Sequence, residues 1–178
     1  MVKQRKEAVE AVVYGGTYLK TRIGRARPRP LSTTHTMHLV VRSSKARGDW
    51  SFTRKGNRQA IEAILRKFAR KHGVSLLKLG IVGNHLHIHL KLWKRAAYRP
   101  FIRATTAAIA MAITGASRWR PLKKAAKDRF WDYRPFTRVV LGSKAFKRLQ
   151  EYIALNQLEG FGYTRKEARV ILAELNSS

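Results

Sequence analysis

The chain has no cysteine among its 178 residues. That removes disulfide scaffolds and every zinc site built on thiolates, and it fits a reducing or an oxidising compartment equally well. Acid is scarce too: 10 Asp and Glu stand against 38 Lys and Arg, a formal net charge of +28. A field of that sign repels basic partners and concentrates polyanions, of which nucleic acid is the commonest and anionic lipid the rival. No apolar run approaches the roughly 20 residues that span a bilayer. The start, MVKQRKEAVEAVVYGG, lacks the uninterrupted apolar core and cleavage pattern of a secretion signal. The chain is therefore expected to be soluble and cytoplasmic, associated with the nucleoid, and without a membrane partner.

What is present suffices for a fold. Apolar residues make up 44% and aromatics 10%, too rich for a mainly disordered chain despite the charge. The length suits one domain with terminal extensions. Residues 1–34 read as a basic N-terminal extension: a short helix over Lys3 to Val13, then YGGTYLKTRIGRARPRP. Gly15, Gly16 and Gly24 loosen this segment and Pro28 and Pro30 stiffen it, while Lys20, Arg22, Arg25, Arg27 and Arg29 set five charges within ten residues. Such an arm suits contact with a phosphate backbone; a merely solubilising terminus is the plain alternative.

From residue 35 to 160 the patterning is that of one domain. HTMHLVVRS, His35 to Ser43, is a short β-branched run expected as a strand. RKGNRQAIEAILRKFARKHG repeats apolar residues at Ile61, Ile64, Leu65, Phe68 and Ala69, the spacing of a helix that stops at Gly73. VSLLKLGIV and NHLHIHLKLW are two strands separated by Gly83-Asn84, a hairpin turn. An Ala-rich helix follows from near Pro100 to Gly115. A basic linker with Arg118, Arg120, Lys123, Lys124 and Lys127 offers a second set of phosphate contacts and leads to FWDYRPFTRVVL, whose end is a fourth strand. A third helix runs from about Ser143 to Leu158. In residues 161–178 a last helix opens with Thr164 and Glu167 at capping-box spacing. The order β-α-β-β-α-β predicts an α+β, ferredoxin-like sandwich: an antiparallel sheet with helices on one face, the other face open, and extra C-terminal helices.

Side chains alternate across a strand, so Leu86, Ile88, Leu90 and Leu92 point to the core while His85, His87 and His89 share the other face. Alternating histidines are often no more than a polar face. Neutral imidazole is also the commonest metal ligand, and residues i and i+2 of a strand can reach one ion. In the third helix Phe146, Leu149 and Ile153 form the apolar stripe, with Tyr152 and Asn156 four apart at its margin. Alone, that pair reads as a snorkelling Tyr and a solvated Asn.

Together, Asn84-His85-Leu86-His87 and Tyr152-Ile153-Ala154-Leu155-Asn156 resemble the two signature motifs of the single-tyrosine HUH transposases, in particular the REP-associated tyrosine transposase branch of the IS200-like group. Phe130-Trp131 before the fourth strand is similar to that family's aromatic at this point. The chain departs from the pattern at Gly83, Asp132 and Gln157, none of them a proposed ligand or the nucleophile. The resemblance implies that His85, His87 and Asn156 bind a divalent cation, magnesium or manganese, and that Tyr152 is the nucleophile. It implies metal-dependent nicking and strand transfer of single-stranded DNA through a 5′-phosphotyrosine intermediate. His89 has no counterpart in that motif and reads as a phosphate contact or, preferably, as a polar neighbour.

The expected partner is single-stranded or hairpin DNA, with RNA and a homodimer left open. Two other functions compete with the enzyme. One is a non-catalytic binder of structured RNA or DNA that keeps the fold, favoured by a charge larger than a small nicking enzyme needs. The other is a zinc hydrolase using His85, His87 and His89 together, which would make His89 essential and Tyr152 dispensable.

Overall fold

Short β-branched and leucine-rich runs punctuated by two amphipathic helices give strands and helices where the periodicities place them. The computed structural model describes residues 14–15, 29–116 and 129–177. The expected helix Lys3 to Val13, the basic residues Lys20, Arg22, Arg25 and Arg27, and the linker residues Arg118, Arg120, Lys123, Lys124 and Lys127 lie outside the described residues. The elements are β1 (Tyr14–Gly15), β2 (Thr36–Arg42), α1 (Lys55–His72), β3 (Val74–Val82), β4 (His85–Leu92), α2 (Tyr98–Thr114), β5 (Phe136–Val140), α3 (Gly142–Gly160) and α4 (Arg165–Ser177).

The sheet has the order β1-β5-β2-β4-β3 with every neighbouring pair antiparallel. Its four long strands make the ferredoxin-like arrangement expected from the β-α-β-β-α-β order. Two-residue β1 adds an edge strand on β5 inside the stretch read as a basic extension. A strand that short carries no periodic signal, so only the pairing reveals it.

One face of the sheet meets α1 and α2. Met37, Leu39 and Val41 of β2 and Leu86, Ile88, Leu90 and Leu92 of β4 join Ile61, Leu65, Phe101 and Ile109 in a single buried cluster. Each of these large side chains contributes about 1.5–3 kcal/mol by leaving water. Phe130 and Trp131 pack on the same cluster beside Phe52, with ring centroids 6.2 and 5.7 Å from it. The Trp131 indole donates to the Thr106 carbonyl at 2.9 Å, so the aromatic pair is built into the core.

The opposite face is not open, contrary to the expectation from element order. Helix α3 buries Leu149 and Ile153 there, against Val140. Its apolar stripe needs a partner, and α1 and α2 already occupy the other face. Two glycines let helix and sheet approach closely. A Cβ on Gly80 of β3 would come within 2.9 Å of Ile153 Cγ2 and 3.0 Å of its carbonyl oxygen, and one on Gly160 of α3 within 2.8 Å of the Ile81 carbonyl oxygen. The capping box that starts α4 forms: Glu167 Oε2 accepts from the Thr164 amide at 2.7 Å, and Thr164 Oγ1 from the Glu167 amide at 3.3 Å. No helix among the described residues is long and apolar enough to cross a membrane.

Candidate active site

The alternation of β4 puts His85, His87 and His89 on the α3 side of the sheet. Register adds a fourth imidazole, because β2 pairs His38 with His89 and Arg42 with His85, and paired residues of antiparallel strands share a face. His38 Nε2 lies 3.1 Å from His87 Nδ1. The His85 and His87 rings are 4.8 Å apart, edge to face. His85 Nδ1 lies 2.9 Å from Asn84 Oδ1. An amide oxygen only accepts, so His85 carries its proton on Nδ1 and leaves Nε2 with a lone pair.

Helix α3 runs along this row. Phe146 and Gln150 meet His89, with ring centroids 4.7 Å apart in the first contact and Gln150 Nε2 donating to His89 Nδ1 at 2.6 Å in the second. Ile153 meets Gly80, the β3 partner of His87, and Gly160 meets Ile81 and Val82, the latter the partner of His85. The helix thus tracks from His89 toward His85. Tyr152 lies on the stretch between, its ring 5.2 Å from that of His87 and 6.1 Å from that of His38. Its side chain is 41% exposed, so a large substrate has access to it. Asn156, one turn on, donates from Nδ2 to the Tyr152 carbonyl at 2.7 Å, which leaves its Oδ1 as an acceptor.

The face is electrostatically arranged to keep its imidazoles neutral. Burial, then the neighbouring His38 and His85, holds His87 at about 3. Burial, then His89 and Arg138, holds His38 at about 4. Burial alone does the same to His89, at about 4, and burial followed by Arg42 lowers His85. Neutral imidazole is the form that ligates metal.

These donors fit a divalent cation. His87 Nε2 is buried and has no hydrogen-bond partner among the described residues, which in a native site calls for an ion or a water. The sequence motifs imply that His85 and Asn156 join it; His85 Nε2 keeps its lone pair and Asn156 Oδ1 is an acceptor one turn beyond Tyr152. Among the described residues no trio of His, Cys, Asp or Glu is placed to hold a metal ion. The three-histidine zinc arrangement does not form. His89 Nε2 lies 2.8 Å from Thr36 Oγ1, and with Gln150 on Nδ1 both its ring nitrogens are occupied. His89 is a fully buried strut between β2, β4 and α3.

Three contributors escaped the sequence reading: His38, Gln150 and Thr36. The β2 run offered a faint signal, since Thr36 and His38 alternate with the core residues Met37, Leu39 and Val41. Gln150 had none, because its role depends on where α3 lands. Of the basic arm, Arg29 is described and lies over the Tyr98 ring at 5.7 Å, docked at the start of α2.

Among curated proteins none matches the chain. The solved structure of a REP-associated tyrosine transposase bound to a REP hairpin is similar in fold, with a TM-score of 0.53 at 15% identity over 77% of this chain and 74% of that one. A transposase candidate from Deinococcus radiodurans R1 matches with a TM-score of 0.44 at 19% identity, over 76% of this chain and 98% of the other. The family model described as "Transposase IS200 like" matches residues 32–156. That span is most of the chain and includes His38, His85, His87, Tyr152 and Asn156: the chain belongs to the IS200-like transposase family.

Proposed function

We propose that this transposase nicks single-stranded DNA and transfers strands by a metal-dependent route through a 5′-phosphotyrosine intermediate. The observation that carries the proposal is the exposed Tyr152 ring 5.2 Å from His87, whose Nε2 is buried without a hydrogen-bond partner among the described residues.

The Tyr152 hydroxyl attacks the scissile phosphorus. A phosphorus–Oη bond forms and the bond to the 3′-oxygen of the preceding nucleotide breaks, with the phenolic proton replaced on that oxygen in net balance. The products are a 5′-phosphotyrosine and a free 3′-hydroxyl. A neutral phenol is a weak nucleophile, and a covalent route asks for the phenolate only at the moment of attack. A 3′-hydroxyl of a second strand then reverses the step and joins ends, because the tyrosyl ester conserves the phosphodiester energy; no ATP is needed. His85, His87 and Asn156 would hold the cation, magnesium or manganese, which when bound offsets the charge of the scissile phosphate and of the transition state. Leu149 and Ile153 on the sheet, with the Gln150 hydrogen bond, hold Tyr152 at that site.

The substrate is single-stranded DNA with hairpins, in keeping with the hairpin-bound REP-associated neighbour and with the net charge of +28. The basic arm of residues 1–34 and, within the catalytic domain of residues 35–160, the linker Arg118 to Lys127 grip the nucleic-acid backbone, and residues 161–178 add a helix beyond that domain. The setting is the cytoplasm, at the nucleoid.

The test is denaturing electrophoresis of the protein with labelled single-stranded DNA hairpins, with manganese or with chelator. The expected result is a metal-dependent, protein-sized shift that survives denaturation and vanishes in Tyr152→Phe while native binding persists. Tight native binding with no covalent species on any hairpin substrate would instead support the non-catalytic binder.

A further inference from the structure

We infer that His38 is a positioning residue for the metal site, holding the His87 ring in the tautomer that presents a bare Nε2 to the cation. The inference rests on the metal-dependent reading above and adds a residue that neither signature motif contains.

Strand register brings the two rings together. Val40 of β2 is the partner of His87, and His38, two residues away on the same face, is its diagonal neighbour, close enough for ring contact. The rings stack with centroids 5.2 Å apart and 23° between planes. His38 Nε2 and His87 Nδ1 are 3.1 Å apart, and one of the two nitrogens must carry the proton between them.

If His38 donated, the remaining proton of His87 would sit on Nε2. That atom is buried with no acceptor among the described residues, and it would have no lone pair for a cation. If His87 donates from Nδ1, its Nε2 is free to ligate. His85 shows the same arrangement one step along the strand, its Nδ1 proton held by Asn84 Oδ1 at 2.9 Å. Two ligands thus have their outer nitrogens engaged by neighbouring side chains, the device that fixes metal-binding imidazoles in place. His38 does more than its counterpart Asn84. Its ring also meets Tyr152 edge to face at 6.1 Å, so a single buried side chain sets the ligand and lies against the proposed nucleophile.

The test titrates the full chain with Mn²⁺ alone and follows the free ion by electron paramagnetic resonance. His38→Phe keeps the ring and removes the acceptor; Mn²⁺ affinity is expected to fall roughly 10- to 100-fold. His38→Gln, whose side-chain carbonyl can accept the same proton, is expected to recover most of the loss. Wild-type affinity in His38→Phe overturns the inference alone. A wild-type protein that binds no Mn²⁺ overturns the metal reading and this inference with it. Should the Phe variant fail to fold, ¹⁵N spectra of the imidazoles in the metal-free wild type decide. His87 protonated on Nδ1 is the expected result, and protonation on Nε2 overturns the inference.

Discussion

Gln150 Nε2 donates to His89 Nδ1 at 2.6 Å, which ties the helix carrying Tyr152 to the strand carrying His85 and His87 two residues upstream of the tyrosine. His89, outside the proposed ligand pair, is therefore the point at which the helix carrying Tyr152 is tied to the sheet. Removing Gln150 leaves the buried His89 Nδ1 unpaired, at a cost of about 1–3 kcal/mol.

Gln150→Ala is accordingly expected to lower the unfolding free energy measured in urea by that amount and to slow covalent attachment. His89→Ala is expected to do the same while keeping Mn²⁺ affinity within a few-fold of wild type. Loss of metal binding in His89→Ala equal to that in His87→Ala would restore the three-histidine site.

The close approach at Gly80 predicts a second effect. A valine there places carbon within 2.9 Å of the Ile153 side chain and 3.0 Å of the helix carbonyl, and backbone cannot yield as a side-chain tip does. Overpacking of this kind costs about 1–3 kcal/mol. Because α3 must lift, Gly80→Val is expected to lower DNA attachment more than DNA binding. A variant with reduced stability and unchanged attachment rate would show that Tyr152 placement does not depend on this contact.

Metal binding should appear as stability. A ligand at 100 times its Kd adds about 2.7 kcal/mol, which for a domain of this size raises Tm by roughly 5–10 °C. Manganese is expected to produce that shift in the wild-type chain and chelator to abolish it. His85→Ala and His87→Ala are expected to remove the shift with the hairpin-DNA affinity retained in chelator. A thermal scan with and without the ion is the check.

Acid should destabilise the metal-free protein in a defined window. His38 and His89 are each held at about 4 by burial, below the ordinary value near 6.5. The unfolded chain therefore binds protons on these rings before the folded one does. Their contribution is full above pH 6.5 and is lost as pH falls toward 4. At pH 5.5 the loss is about 1 kcal/mol for each ring, measurable as a drop in the urea midpoint in chelator between pH 7.5 and 5.5. A midpoint that rises on acidification would contradict the neutral, buried state of these imidazoles.

Much of the fold was legible in the order of residues. Period-two alternation in β4 separated Leu86, Ile88 and Leu90 from His85, His87 and His89 because consecutive side chains of a strand must leave opposite faces. The 3.6-residue repeat of Ile61, Leu65 and Ala69 did the same for α1. Capping chemistry placed the start of α4 at Thr164. These are local rules, and they suffice for the order of elements and for the two motifs, which lie within the residues that the family model matches.

What tertiary structure alone decided is who meets whom across distances that no local period encodes. His38 and His87 are 49 residues apart in sequence, and Gln150 and His89 are 61; strand register sets the first contact and the landing of α3 sets the second. The face read as open is covered because the stripe of Leu149 and Ile153 had to bury itself, and Gly80 left room for it there. From the sequence by itself came the candidate side chains of the site, two imidazoles, an amide and a phenol. Packing decided which imidazole is a strut, which is the orienting neighbour, and which retains the buried nitrogen that a cation would fill.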